Sequence, residues 1–235
     1  MTSLPRRLLR LRSHTTGEPY EPEFTGAIER IVQLAWTCAD VGAHLGNVTE
    51  TLVRLVGKHG RVIAFEAHPA NAAELRKRFR GTCVVEVVNA AVSDGSSDRL
   101  ALYAGRHDHS TEWNVVGHDV DGVPTRLELE VQAVSLDTCF PSAAPLHFVK
   151  IDVEGAEGLV LAGMRRVLRE QRPVVAIEFH DDAGWAGRRE LLDAGYQLAA
   201  TDGSAVDPEG PRVYHVIARP SASATVAASS SSSSA

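Results

Sequence analysis

The chain is expected to fold as one α/β domain built on a mostly parallel, seven-stranded sheet with helices on both faces. Three observations carry that expectation. Short apolar runs alternate with amphipathic helical segments. The runs are apolar throughout, as strands buried on two faces must be. A loop with two glycines joins the first run to the helix after it, at Gly42 and Gly46.

The elements follow in order. Phe24, Ile28, Ile31, Val32 and Ala35 recur at helical spacing, so a helix over 24–35 leads into the core. Trp36–Val41 reads as the first strand and Gly46–Val56 as its helix, ended by Gly57 and Gly60. Arg61–Phe65 is the second strand, and Pro69–Arg80 a helix with proline in its first turn, where the missing N–H costs nothing. Val84–Val88, Leu146–Ile151 and Pro173–Phe179 are further strands, with helices over Glu157–Gln171 and Trp185–Ala194. Tyr196–Ala200 and Val213–Ala218 read as a hairpin at one edge.

Domain limits come from composition. Residues 1–22 are basic (Arg6, Arg7, Arg10, Arg12) and proline-broken, and are expected to form a mobile arm with no secretory signal pattern. A single domain spans 23–220, interrupted by an insertion near 104–126 between β segments at Arg99–Tyr103 and Leu127–Val134. The insertion carries His107, His109, Trp113 and His118 and suits a substrate wall, with Trp113 the residue to stack on a ring substrate. The Ser/Ala-rich stretch 221–235 is expected to be disordered.

A net charge of −6 excludes a broad nucleic-acid footprint. Cys38, Cys83 and Cys139 form no CxxC pair, so a reducing, cytoplasmic setting is expected without disulfides or a structural zinc. No apolar run reaches the roughly 18 residues of a membrane span.

Ligands of open parallel sheets bind beyond the carboxyl ends of the strands. Asp40-Val41-Gly42-Ala43-His44-Leu45-Gly46 sits at such an end and opens a helix, whose free N–H groups meet an anionic group. Glu66 ends the next strand, where a carboxylate accepts hydrogen bonds from two ribose hydroxyls. The third glycine of a dinucleotide site is absent, as is the Lys-Ser/Thr of a P-loop. An acid at the loop entrance suits a cofactor bearing an ammonium and a sulfonium, as S-adenosylmethionine does. Asn89 or the backbone at Ala90, at the end of the third strand, is placed to meet the adenine edge.

Together these segments resemble the FkbM family of methyltransferases. The carriers are the 40–46 loop, Phe65-Glu66-Ala67-His68-Pro69, Asn89-Ala90-Ala91-Val92-Ser93-Asp94, Ser135-Leu136-Asp137, Val149 through Glu157, and Ile177-Glu178-Phe179-His180. The resemblance implies the class I methyltransferase fold, which is Rossmann-like, and methyl transfer from S-adenosylmethionine, usually to a hydroxyl on a sugar or secondary metabolite. It implies cofactor contacts from Asp40, Gly42, Gly46 and Glu66. To these the residues add His44, Asn89, Ala90 and Asp152. Asn47-Val48-Thr49 departs from the family, in which an aromatic often precedes the threonine.

Transfer to a hydroxyl needs alignment and a base, or a metal that acidifies the acceptor. Asp152, Glu154 and Glu157 follow the fourth strand; Glu178, His180, Asp181 and Asp182 follow the fifth. His180 is expected to be the base, neutral at working pH, with Asp152 orienting it or the acceptor. Glu154 and Glu178 are expected on the substrate side, while Glu157 suits the first turn of its helix. Asp152, Glu154, Glu178 and His180 are also a possible divalent-metal set, which no spacing enforces. N- or C-methylation on the same cradle, and a cofactor-binding protein without catalysis, are the competing readings. Oligomeric state is not legible.

Overall fold

The computed structural model describes residues 21–104, 113–114 and 127–221. The basic arm except for its last two residues, most of the 104–126 insertion with its three histidines, and the Ser/Ala-rich tail beyond Ser221 lie outside the described residues.

Strands β1 (Thr37–Val41), β2 (Arg61–Phe65) and β3 (Val85–Val88) form one half of a seven-stranded sheet. A small second sheet contains β4 (Ala91–Val92), β5 (Arg99–Ala104), β6 (Trp113–Asn114) and β7 (Leu127–Val134). The other half of the main sheet is β8 (Phe148–Ile151), β9 (Val174–Glu178), β10 (Tyr196–Ala199) and β11 (His215–Pro220), and its order is β10-β11-β9-β8-β1-β2-β3. All main-sheet neighbours from β9 to β3 pair in parallel; β11 runs antiparallel to both β9 and β10.

The last two strands pair antiparallel, Leu198 opposite Ala218. They form the hairpin expected at one edge, with β11 on its inner side against β9 and β10 outermost. The reason lies in their side chains. Val216, Ile217 and Ala218 are buried in succession, whereas β10 alternates buried and exposed residues, so β10 takes the edge.

Helix α1 (Pro22–Ile31) leads into β1, and α2 (Asn47–Val56) and α3 (Pro69–Arg78) connect β1 to β2 and β2 to β3. Short α4 (Leu136–Cys139) precedes β8. The long helix expected over 157–171 is two: α5 (Glu157–Ala162) and α6 (Arg165–Glu170). The break is at Gly163, where a Cβ would lie 1.9 Å from the Ser93 carbonyl oxygen, so the loop after β4 presses directly on helix backbone. The helix expected from Trp185 begins earlier, as α7 (Asp182–Ala186), capped by the Asp181 carboxylate accepting from Gly184 N at 2.6 Å, and continues as α8 (Arg188–Asp193).

The core lies on both faces of the sheet with the two-residue period of a strand. Cys38, Val62 and Phe148 face Phe24, Ile28 and Leu52 of α1 and α2. Ala39, Val41, Ile63, Phe65, Val149 and Ile151 face Val160, Leu161, Val167, Leu168 and Leu191 on the other side. Burial pushes the Cys38 thiol up to about 12, so it packs as an inert apolar residue. No described helix is long and apolar enough to cross a membrane.

Candidate functional site

Strand register aligns the site. Val41 pairs with Phe65 and with Ile151, and Ile151 pairs with Ile177. The next residue on each strand is therefore Gly42, Glu66, Asp152 and Glu178, in one row along the carboxyl rim.

Gly42 holds the first loop against β8. Its φ is +75°, and a Cβ there would lie 1.7 Å from the Asp152 carbonyl oxygen, so only glycine fits. Gly42 and Ala43 donate to Phe65 O at 3.0 and 2.9 Å, Gly46 caps α2, and His44 N donates to Glu66 Oε2 at 2.7 Å. His68 N donates to Glu66 Oε1 at 2.9 Å. Burial raises the Glu66 carboxyl, and these backbone donors and Asn71 pull against that rise. Asn89 Nδ2 donates to the carbonyls of Glu66 and Ala67 at 2.8 and 2.9 Å, which ties the end of β3 to this loop; Ala90 is buried beside it.

Asp40 has no exposed surface. Its Oδ2 accepts from Thr49 Oγ1 at 2.6 Å and its Oδ1 lies 3.6 Å from Lys150 Nζ. Asp40 thus lies beneath the loop, braced by Thr49 and Lys150, with Oδ1 accepting no hydrogen bond among the described residues. Lys150 completes the brace by donating to Gly42 O at 2.9 Å and to Asp152 Oδ2 at 3.0 Å. Burial works against its charge, but Asp152, Asp40 and Glu178 outweigh it and hold the lysine protonated. Sequence reading passed over Lys150, although a lysine between Val149 and Ile151 in a strand buried on both faces was a usable signal.

The second half of the rim centres on His180. Its Nδ1 lies 2.9 Å from Glu157 Oε1, and Glu157 is fully buried. Its Nε2 faces Tyr214 Oη at 3.1 Å, Glu154 Oε2 at 3.5 Å and Asp152 Oδ1 at 3.7 Å. Asp152 and His180 are therefore brought together as expected, but Glu157, not Asp152, sets the ring's orientation. Burial alone would lower the His180 pKa; the Glu157 hydrogen bond and the charges of Glu154, Glu157 and Asp152 overcome it and push it up to about 9. The expectation of a neutral imidazole at working pH is corrected accordingly: with these carboxylates ionised, the ring is a cation below about 9.

Glu178 is 1% exposed, and among the described residues neither of its oxygens accepts a hydrogen bond. His215 Nε2 stands 3.7 Å from Oε2 and is itself 2.7 Å from Glu21 Oε2. Burial would raise the Glu178 carboxyl, but His215 and Lys150 outweigh it and keep it ionised. Tyr214, 41% exposed, crosses the rings of His180 and His215 edge-on. Burial, Glu178 and Glu21 push its phenol upward, so it stays protonated. Tyr214, His215 and Glu21 had no signal in sequence. Glu154, in a left-handed turn with φ 53°, is the most exposed acid of the group. Trp113 lies on β6, paired with Ala104, and its side chain is outside the described part of the residue.

The comparisons with known proteins agree with this fold. The family model described as the methyltransferase FkbM domain matches residues 40–198, more than half of the chain. A methyltransferase FkbM from Methylobacillus flagellatus KT superposes with a TM-score of 0.50 at 17% identity, covering 85% of this chain and 50% of its own. A putative rRNA-methylase from Clostridium thermocellum (TM-score 0.51, 12% identity, 88% of this chain and 99% of its own) shares the fold. So does a precorrin-6y C5,15-methyltransferase from Geobacter metallireducens GS-15 (0.50, 15%, 88% and 93%). No curated protein matches the chain. With the parallel sheet, its single reversed strand and the matched domain, the chain belongs to the FkbM family of S-adenosylmethionine-dependent methyltransferases, in the class I fold.

Proposed function

We propose that the chain methylates a hydroxyl on a small molecule, a sugar or a secondary metabolite, and works in the cytoplasm, where the unpaired thiols Cys38, Cys83 and Cys139 stay reduced. S-adenosylmethionine, when bound, supplies a methyl group activated by its sulfonium. The residues present fit it. The 42–46 loop approaches β8 so closely that a Cβ at Gly42 has no room, and Glu66 is held by two backbone N–H groups with lone pairs left for ribose hydroxyls. Gly42, His44, Gly46 and Glu66 would hold the cofactor, with Asn89 and Ala90 shaping the adenine end and Asp40 bracing from beneath. Asp152, at the centre of the rim row, would face both cofactor and acceptor.

One observation carries the hydroxyl reading: the Glu157–His180 pair, which fixes Nδ1 and turns Nε2 toward the rim beside Asp152, Glu154 and the half-exposed Tyr214 hydroxyl that an acceptor hydroxyl would replace. His180 takes the acceptor proton at Nε2 as the oxygen–carbon bond forms and the carbon–sulfur bond breaks. Glu154 and Glu178 set the charge around the acceptor, with Trp113 as a stacking wall. Asp152, Glu154, Glu157 and Glu178 repel phosphate, and the net charge is −6, so a nucleic-acid acceptor is not proposed.

Calorimetry with S-adenosylhomocysteine and a labelled-methyl acceptor screen test this. Binding followed by label on a hydroxyl is the expected result, with turnover rising as pH passes through about 9, where His180 becomes neutral. Absence of binding overturns the cofactor assignment. Label on nitrogen or carbon overturns the hydroxyl assignment.

A further inference from the structure

We propose that Asp152, Glu178 and His180 form a binding site for one divalent cation of the Mg²⁺/Mn²⁺ class. What the ion does for the reaction rests on the hydroxyl reading above; its binding does not.

The three residues each offer a ligand atom, one imidazole nitrogen and two carboxylate oxygens, all within 4.8 Å of one another. A six-coordinate ion with bonds of about 2.1 Å keeps neighbouring donors about 3 Å apart, so it would draw these atoms slightly inward. Two of the ligands are oriented from behind. Glu157 holds His180 Nδ1 at 2.9 Å, which leaves Nε2 as the ligand atom; this carboxylate–histidine arrangement recurs behind metal-bound imidazoles. Lys150 takes Asp152 Oδ2 at 3.0 Å, which leaves Oδ1 turned toward His180.

Glu178 supplies an independent observation. A carboxylate with 1% exposure normally has its oxygens hydrogen-bonded, yet among the described residues neither oxygen accepts one. His215 stands 3.7 Å away and pairs with Glu21 at 2.7 Å; both press on Glu178, which is thus shared between that group and the proposed site. A divalent ion satisfies this carboxylate and offsets the negative charge of Asp152 and Glu178 together.

Tyr214 Oη, 3.1 Å from Nε2, must move aside for the ion to bind, and its exposed position at the rim permits that. The remaining coordination positions are then open to water and to the acceptor hydroxyl, whose pKa the ion lowers. In the ion-loaded protein His180 would be a ligand, so Glu154 at the exposed rim would replace it as the proton acceptor while the oxygen–carbon bond forms and the carbon–sulfur bond breaks. The His180 role above is that of the ion-free protein.

The test uses the full chain, stripped with a chelator and titrated with Mn²⁺, free Mn²⁺ being read by electron paramagnetic resonance. One saturable site is expected, weakened about tenfold or more in Glu178→Gln and in His180→Gln. His180 is partly exposed, so its variant keeps the test valid if Glu178→Gln fails to fold. No saturable binding at millimolar Mn²⁺, or binding unchanged in the folded variants, overturns the site. The failures are distinguishable. Hydroxyl methylation that survives chelation in a chain that binds no Mn²⁺ sinks the metal site and leaves His180 as base. Mn²⁺ binding without methylation of any hydroxyl leaves the site standing and sinks the reaction assigned to it.

Discussion

The two halves of the rim solve the problem of buried charge in opposite ways. On the β1–β2 side most of the buried acid oxygens are met by the chain: Glu66 accepts from two backbone N–H groups, one oxygen of Asp40 from Thr49 while the other is left 3.6 Å from Lys150, and Asn89 ties the neighbouring carbonyls. On the β8–β9 side both oxygens of Glu178 and one of Glu157 are buried without hydrogen bonds, and among the described residues Lys150, which also faces Asp40, with His180 and His215 offsets the charge. The first half is a cradle whose shape the chain sets before any ligand arrives. The second half holds negative charge that a proton on His180 or a bound cation completes, and it is where binding and chemistry can alter the electrostatics.

Gly42 joins the halves, so its replacement has the largest expected effect. In Gly42→Ala the new Cβ meets the Asp152 carbonyl, a backbone atom that cannot rotate away, at a residue whose φ is +75°. The cost is expected to be about 3 kcal/mol or more in unfolding free energy. S-adenosylhomocysteine binding should be lost in calorimetry even where the chain still folds. Binding at wild-type strength would mean that the two halves are not mechanically joined there.

Glu157→Gln separates the halves. It removes a buried charge 2.9 Å from His180 and keeps the side chain's shape. The charge favours imidazolium, so its removal lowers the His180 pKa from about 9. The pH–turnover limb should move toward neutral pH while S-adenosylhomocysteine affinity holds. Stability gives the same sign. The wild-type Glu157–His180 stabilisation is fully present below the ordinary histidine pKa of about 6.5 and fades as pH rises through about 9. The stability gap between wild type and variant should narrow over that window. A limb that stays in place would reduce Glu157 to packing.

Much of this was legible in the sequence, unevenly. The alternation of strands and helices, the loop at Gly42 and Gly46, and the meeting of Asp152 with His180 are local in sequence or follow from parallel neighbours. The sheathing of Asp40 was not legible, because a strand-end acid looks the same whether it faces a ligand or is sealed by Thr49 and Lys150. Tyr214 and His215 were missed for a topological reason. An edge hairpin was expected, but which of its two strands lies inward was not legible, so nothing placed them near His180. The pairing of β11 with β9 sets His215 opposite Glu178 and brings Tyr214 to the His180 ring. Glu157 was read as a helix-end acid, and its second role appears only when β9 lies beside β8.

The smallest expected effect marks where the comparison stops applying. Arg61 and Glu86 pair at 2.6 Å, each about half exposed, at the start of β2, four residues before Phe65 at the rim. Four strand residues span about 13 Å, beyond the screening length of about 10 Å in 0.1 M salt. An exposed pair of this kind contributes about 0–1 kcal/mol. Arg61→Ala should therefore lower the unfolding free energy by no more than that, with cofactor affinity and the His180 limb unchanged. It alters net charge by the same amount as Glu157→Gln, though in the opposite sense. If the two variants displace the limb by equal amounts in opposite directions, the His180 titration answers to overall charge, and the distinction between the two halves fails. If only Glu157→Gln displaces it, the response belongs to the buried contact at Nδ1.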